Sequence, residues 1–175
     1  LTEPMSDRHF KLMSLFFRFR DFFLPPAKIL QEAKLKTGYQ MLDFGCGPGS
    51  FSLAAARLVG KSGKVYALDI HPFAIRSVKR KSLKEGLQNI ETISSDCATG
   101  LPNLSIDVVL LYDVFHELRN PDAVLAELSR VLKPEGTLLV SDHHLKKEEI
   151  ISALTSSGFF NFLQKGNKTY TFCKI

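Results

Sequence analysis

A chain of 175 residues, 45% of them hydrophobic and 23% charged, can bury one sizeable core and is short for two, so a single domain is expected. A net charge of +5 favours acidic partners in general and alone decides nothing. No apolar run approaches the roughly 20 residues of a membrane span, and no basic-apolar-small leader pattern is read at the start.

The first feature in chain order is FKLMSLFFRFRDFFLPP, residues 10–26, which is dense in phenylalanine. A helix there would be apolar around most of its circumference, interrupted by Arg18 and Arg20, and would need covering. The candidates are a lid over an apolar substrate, a dimer contact, membrane-surface attachment, or packing on the domain. From there on, β-like runs alternate with segments of helical period, the pattern of a parallel sheet flanked by helices. The runs are 39–44, 64–69, 90–95, 106–112 and 137–141, several of them apolar without alternation, as strands covered on both faces should be. Between them, Phe51, Ala54, Ala55 and Leu58 share one helical face, as do Ile75, Val78 and Ser82. Asn120 and Pro121 open a further helix, with Val124, Leu128 and Val131 inward and Pro134 with Gly136 as its stop. A helix over 146–157 ends at Gly158. Two last runs, 159–165 and 169–174, are joined around Gly166-Asn167, a pair suited to a type II′ hairpin turn. Cys46, Cys97 and Cys173 are odd in number and lack CxxC spacing, so neither a disulfide framework nor a zinc site is suggested and they read as reduced thiols. Asp113 and Asp142 end neighbouring runs but do not complete a metal ligand set, so no metal is expected, and the protein is expected to be cytoplasmic.

The informative stretch is MLDFGCGPGS, residues 41–50. Glycines 45, 47 and 49 remove three Cβ atoms between a strand end and a helix start, where an open α/β sheet forms its binding crevice. Asp69 ends the next run, where a carboxylate can accept hydrogen bonds from both hydroxyls of a ribose. A dinucleotide would need the G-x-G-x-x-G spacing and a loop that welcomes pyrophosphate. Here the spacing is G-x-G-x-G, and Asp43 would repel an anion. A nucleoside carrying a sulfonium and an α-amino group satisfies both acids, which leaves a nicotinamide oxidoreductase as the weaker alternative.

LDFGCGPG, ALDIHP, SSDC, IDVVLLYDVFHEL and VLKPEGTLLVSD, in that order, resemble the class I S-adenosylmethionine (SAM) dependent methyltransferases over about residues 38–142. The likeness is greatest to the ubiquinone and menaquinone biosynthesis branch. It implies an α/β, Rossmann-like fold with a mostly parallel seven-stranded sheet of order 3-2-1-4-5-7-6, an antiparallel last strand and flanking helices. It also implies SAM as cofactor and a small, apolar or aromatic methyl acceptor. By position, Asp43 and the loop Gly45, Cys46, Gly47 and Gly49 would hold the methionine part. Asp69 would bind the ribose with Ile70 beside the adenine, and Asp96 and the N–H of Cys97 would meet the adenine edge. Tyr112 and Asp113 would line the reaction centre. Because the segment before the first strand often closes the active site in this family, residues 1–36 are expected to form a helical lid or cap on a core of 37–175.

Methyl transfer from a sulfonium is an in-line displacement with a good leaving group, so positioning and water exclusion carry most of it. Where the acceptor must lose a proton, His116, four residues past Tyr112, is the candidate base. His143 and His144 follow the fifth run. They would point to opposite sides if that strand continued. Arg76, Lys79, Arg80, Lys81 and Lys84 read as a solvated helix face rather than a nucleic-acid contact. The Pro-Pro-aromatic motif of base-methylating enzymes is absent, which argues against nucleic acid. An RNA or protein methyltransferase and a non-catalytic SAM-binding partner remain as alternatives.

Overall fold

The computed structural model describes residues 25–175; the phenylalanine-rich stretch up to residue 24, and with it most of the expected lid, lies outside the described residues. Helix α1 (Pro26–Glu32) leads into β1 (Gln40–Phe44), α2 (Ser50–Val59), β2 (Lys64–Asp69), α3 (Pro72–Lys84), β3 (Ile90–Ser94) and β4 (Ile106–Tyr112). A 3-10 turn (Phe115–Glu117), α4 (Pro121–Val131), β5 (Leu132–Ser141), α5 (Lys147–Ser156), β6 (Phe160–Lys165) and β7 (Tyr170–Lys174) follow. The seven strands form one sheet of order β3-β2-β1-β4-β5-β7-β6, as the resemblance implied. The first five strands run parallel, and β7 is antiparallel to both of its neighbours.

The absence of alternation in the central runs has its reason in two covered faces. Met41, Val65, Val108, Leu110 and Leu139 pack beneath α1 and α2, while Leu42, Phe44, Val109, Leu111, Leu138 and Val140 pack beneath α4 and α5. Successive residues of one strand thus enter opposite cores. In α2 the buried set is Phe51, Ser52, Leu53, Ala55, Ala56 and Val59, and Leu58 is 42% exposed, which corrects the expected inward face. The helix is turned because α1 lies on it through Ile29, Leu30 and Ala33. In α3 only Ala74 and Val78 are buried, and Ile75 and Ser82 are half-covered. Small residues face inward there because the helix rides directly over the glycine loop, where a Cβ on Gly49 would meet Val78 Cγ2 at 2.7 Å.

Two expectations about chain reversals are corrected. Pro134 and Gly136 do not precede the fifth strand but lie within it. Leu132 already pairs with Ile106, and after an irregularity Thr137 pairs with Val108. The extra residues form a bulge, which tolerates a proline lacking N–H and a glycine whose Cβ would meet Leu132 Cδ1 at 2.8 Å. The final hairpin does not use a type II′ turn. Gly166 takes no positive φ and its N–H donates to Thr169 O at 2.8 Å, so Asn167 and Lys168 form the tip. That tip is held from outside, because the Glu32 carboxylate at the end of α1 accepts from Lys168 N, Thr169 N and Thr169 Oγ1 at 3.1, 3.1 and 2.6 Å. Removing this acceptor by Glu32→Ala is expected to lower stability by about 1–2 kcal/mol, since three donors lose a charged partner at a partly solvated site. Urea unfolding checks it. A loss below ~0.3 kcal/mol would mean that water replaces the carboxylate fully.

Candidate active site

The parallel strands end at one edge of the sheet, and the expected site residues collect there. The glycine loop leaves β1 with Gly45, Gly47 and Gly49 at φ 77°, 51° and 92°. Gly45 N and Cys46 N donate to Leu68 O at 2.8 and 2.9 Å, which ties the loop to the end of β2. A Cβ on Gly45 would meet Val114 Cγ2 at 2.5 Å, so glycine is needed there for both backbone angle and space. On the far side, Ser77 Oγ and Lys81 Nζ donate to Pro48 O at 3.1 and 2.7 Å. Lys81 thus leaves the solvated basic face and holds the loop.

Two carboxylates bracket this loop. Asp43 is 2% exposed and accepts from Ser52 Oγ at 2.5 Å. Asp69 accepts from Gly47 N at 2.8 Å and from His71 N at 2.7 Å, and burial, the strongest influence on it, raises its carboxyl above the usual range against these bonds. The Cys46 thiol between them is pushed well up, by burial first and then by the charges of Asp43 and Asp69. It stays protonated and unreactive. The loop is therefore a negatively polarised cradle. Beside it Ile70 is 45% exposed, an apolar side chain at the rim.

Asp96 and Cys97 lie just past β3, whose last residue Ser94 pairs with Asp69. Asp96 is exposed, and Cys97 N donates to Ser95 Oγ at 3.2 Å. Tyr112 ends β4 with its ring 4.6 Å from that of Phe51.

The densest arrangement is at the ends of β4 and β5. Asp113 takes a φ of 54°, its N–H donating to Ser141 O at 2.7 Å, and its Oδ1 accepts from His143 N and lies 2.7 Å from His143 Nδ1. His116 Nδ1 lies 2.8 Å from Asp142 Oδ2, which also accepts the His116 N–H at 3.0 Å. The other oxygen of Asp142 accepts from His144 N at 3.0 Å. Burial works to raise the Asp142 carboxyl, but the His116 imidazole and these N–H donors outweigh it and hold it below the usual range. The strand stops at Ser141, so His143 and His144 do not point apart: the His144 ring lies 4.1 Å from both His116 and His143. Each aspartate is thereby engaged with a histidine. Among the described residues no group of three His, Cys, Asp or Glu side chains is arranged to hold a metal ion. Asp142 as the partner of His116 was not anticipated from the sequence. The signal was there, since Asp113 and Asp142 directly follow the ends of neighbouring strands, Tyr112 pairing with Ser141. The partners Phe51, Ser52 and Val114 carry no sequence signal of their own.

A family profile described as a methyltransferase domain matches residues 35–172. A ubiquinone/menaquinone biosynthesis C-methyltransferase of Hydrogenovibrio crunogenus is 30% identical over 141 residues, 79% of this chain and 56% of that protein. The aklanonic acid methyltransferase DauC of a Streptomyces species is 34% identical over 122 residues, 67% of this chain and 54% of that protein. The chain spans about half the length of the curated relatives it matches. The crystal structure of a SAM dependent methyltransferase from Aquifex aeolicus superposes with a TM-score of 0.74 at 29% identity, covering 86% of this chain and 88% of the other.

Proposed function

The chain belongs to the methyltransferase-domain family, and on that premise we propose that it transfers a methyl group from SAM to a small, apolar or aromatic acceptor. The observation that carries this reading is the pair of carboxylates around the glycine loop, Asp43 beneath it and Asp69 bonded to Gly47 N, whose charges both reach Cys46. A pyrophosphate would be repelled there, whereas a ligand with an α-amino group and a sulfonium would be attracted. Asp69 would hold the ribose, Ile70 the adenine face, and Asp96 with Cys97 the adenine edge; Gly45, Cys46, Gly47 and Gly49 would follow the methionine part. The names of the relatives, which specify quinone biosynthesis and aklanonic acid, support an apolar ring as acceptor. Three free cysteines accord with a reducing compartment, and we assign the cytoplasm. No described helix is long and apolar enough to cross a membrane. In the same reading residues 1–36 cap the core of 37–175, with α1 already seated on α2 through Ile29 and Leu30.

SAM when bound supplies an electrophilic methyl on a good leaving group. The chain has to place the acceptor, exclude water and take a proton. Tyr112 and Phe51 form an aromatic wall at the end of β4. His116, fixed through Nδ1 by Asp142, presents Nε2 as the proton acceptor, and Asp142 stabilises the imidazolium that results. Asp113 lines the same edge, fixed by His143.

Isothermal titration tests the cofactor. Asp69→Ala is expected to weaken SAM and S-adenosylhomocysteine alike by about 10- to 150-fold, the loss of a charged acceptor for two hydroxyls. NADH should not bind. Unchanged SAM affinity in the folded variant would remove Asp69 from the site, and tight NADH binding would overturn the reading.

A further inference from the structure

The adenine-side residues Asp96 and Cys97 stand at the start of a long connection, 95–105, that contains neither helix nor strand. Backbone bonds fix its two ends, Ser95 N donating to Asp69 O at 3.3 Å and Leu104 N and Ser105 N to Arg130 O and Val131 O at 3.0 and 2.8 Å. Its middle is held by two half-buried side chains near the C-terminal end of α4. Glu127 Oε1 accepts from Thr99 N at 2.8 Å and from Thr99 Oγ1 at 2.6 Å. Thr99, 4% exposed, in turn accepts from Leu101 N at 3.1 Å. Arg130 grips the same carboxylate through Nε and Nη2, at 2.7 and 2.8 Å, and carries the hold further along the loop, donating to Leu101 O at 2.9 Å and to Asn103 Oδ1 at 2.5 Å.

We propose that Glu127, locked by Arg130, is a positioning residue for the cofactor: it fixes the 95–105 loop through Thr99 and so presents Asp96 to the adenine edge. The proposal rests on the SAM reading above. Glu127 touches no cofactor atom in this scheme; it acts through Thr99, two residues from Cys97. The charge of Glu127 reaches Cys97 as well, and after burial it is the next influence raising that thiol. The Arg130 guanidinium, helped by the Thr99 donors against burial, holds the Glu127 carboxyl down to about 2. A carboxyl depressed in the folded chain stabilises it above the pKa of the unfolded chain, and that contribution is lost as pH falls toward the folded value. The clamp is therefore complete at neutral pH and opens only in acid.

The test combines amide hydrogen exchange on the ligand-free protein with titration of S-adenosylhomocysteine and 5′-methylthioadenosine, which lacks the amino-acid part. In Glu127→Ala the amides of Thr99 and Leu101 should exchange at least tenfold faster, and both ligands should bind about tenfold more weakly, because the affected contact is on the adenine side. KM for SAM should rise while kcat at saturation is kept. The effect should be less than additive with Asp96→Ala, and Glu127→Gln, which keeps an acceptor for Thr99, should recover most of the affinity. Thr99→Val leaves the Glu127–Arg130 pair in place and guards against a folding defect; it should weaken both ligands about threefold. Ligand affinity unchanged in folded Glu127→Ala and in Thr99→Val, or unchanged exchange at Thr99 and Leu101, would overturn the proposal. Failure of the parent protein to bind S-adenosylhomocysteine would overturn the SAM reading first and this inference with it, whereas parent binding equal to that of the variants sinks the inference alone.

Discussion

Replacing His116 by alanine is expected to lower turnover by about 10² to 10⁴ while SAM affinity changes less than about twofold. The bond from Nδ1 to Asp142 is 2.8 Å long and made to a carboxylate whose side chain is fully buried. With Nδ1–H donated to Asp142, the lone pair lies on Nε2, so this imidazole is a base of defined direction. Asp142→Asn tests the partnership. An amide can turn its NH₂ toward Nδ1 and stabilise the wrong tautomer, so a loss of about 10- to 100-fold is expected with the fold intact. The opposite result is equally informative. Full activity of His116→Ala would show that the acceptor is nucleophilic without a base, and that positioning alone supplies the catalysis.

Gly45→Ala is expected to cost about 2–5 kcal/mol of stability, the sum of about 1–2 for a left-handed backbone and about 1–3 for overpacking. Its φ of 77° disfavours any side chain, and the new methyl would press on Val114 Cγ2 and Cβ, 2.5 and 2.9 Å away. The two contributions can be separated. Gly45→Ala combined with Val114→Ala relieves the collision but not the backbone, and should recover about half of the loss after correction for Val114→Ala alone. Gly47, at φ 51°, sits where the left-handed region is narrowly allowed, so Gly47→Ala should cost only about 1 kcal/mol. Chemical denaturation of the four variants against the parent decides the matter. A Gly45→Ala loss within 0.5 kcal/mol of zero would mean that the loop relaxes freely.

What was legible in the sequence was whatever depends on neighbours along the chain. The apolar runs that became β1, β2 and β4, the Asn120 cap, which accepts from Ala123 N at 3.2 Å, and the glycines of the loop all announce themselves locally. What was not legible depends on partners brought by the fold. Pro134 and Gly136 carry the chemistry of a helix stop, yet they lie in a bulge because Leu132 finds Ile106 beside it. Gly166-Asn167 carries the chemistry of a type II′ turn, yet a carboxylate from the other end of the described chain selects a different one. The direction of His116 was hidden for the same reason: it requires the neighbouring strand to deliver Asp142. Leu58 misled because amphipathicity locates an apolar stripe, and here the arrival of α1 decided which part of it is covered.

The grip of Glu32 on the hairpin tip also has a kinetic side. It joins residues 137 apart in sequence, and the entropy of closing so long a loop must be met before the contact returns anything. The contact needs the antiparallel hairpin docked beside β5 and α1 seated, so it is expected to form late in folding, with Glu32→Ala raising the unfolding rate and leaving the folding rate nearly unchanged. Interactions made that late leave the folding rate nearly untouched and act on the rate of opening. The Glu32 carboxylate thus works as a latch on the finished domain, slowing its escape without guiding its assembly.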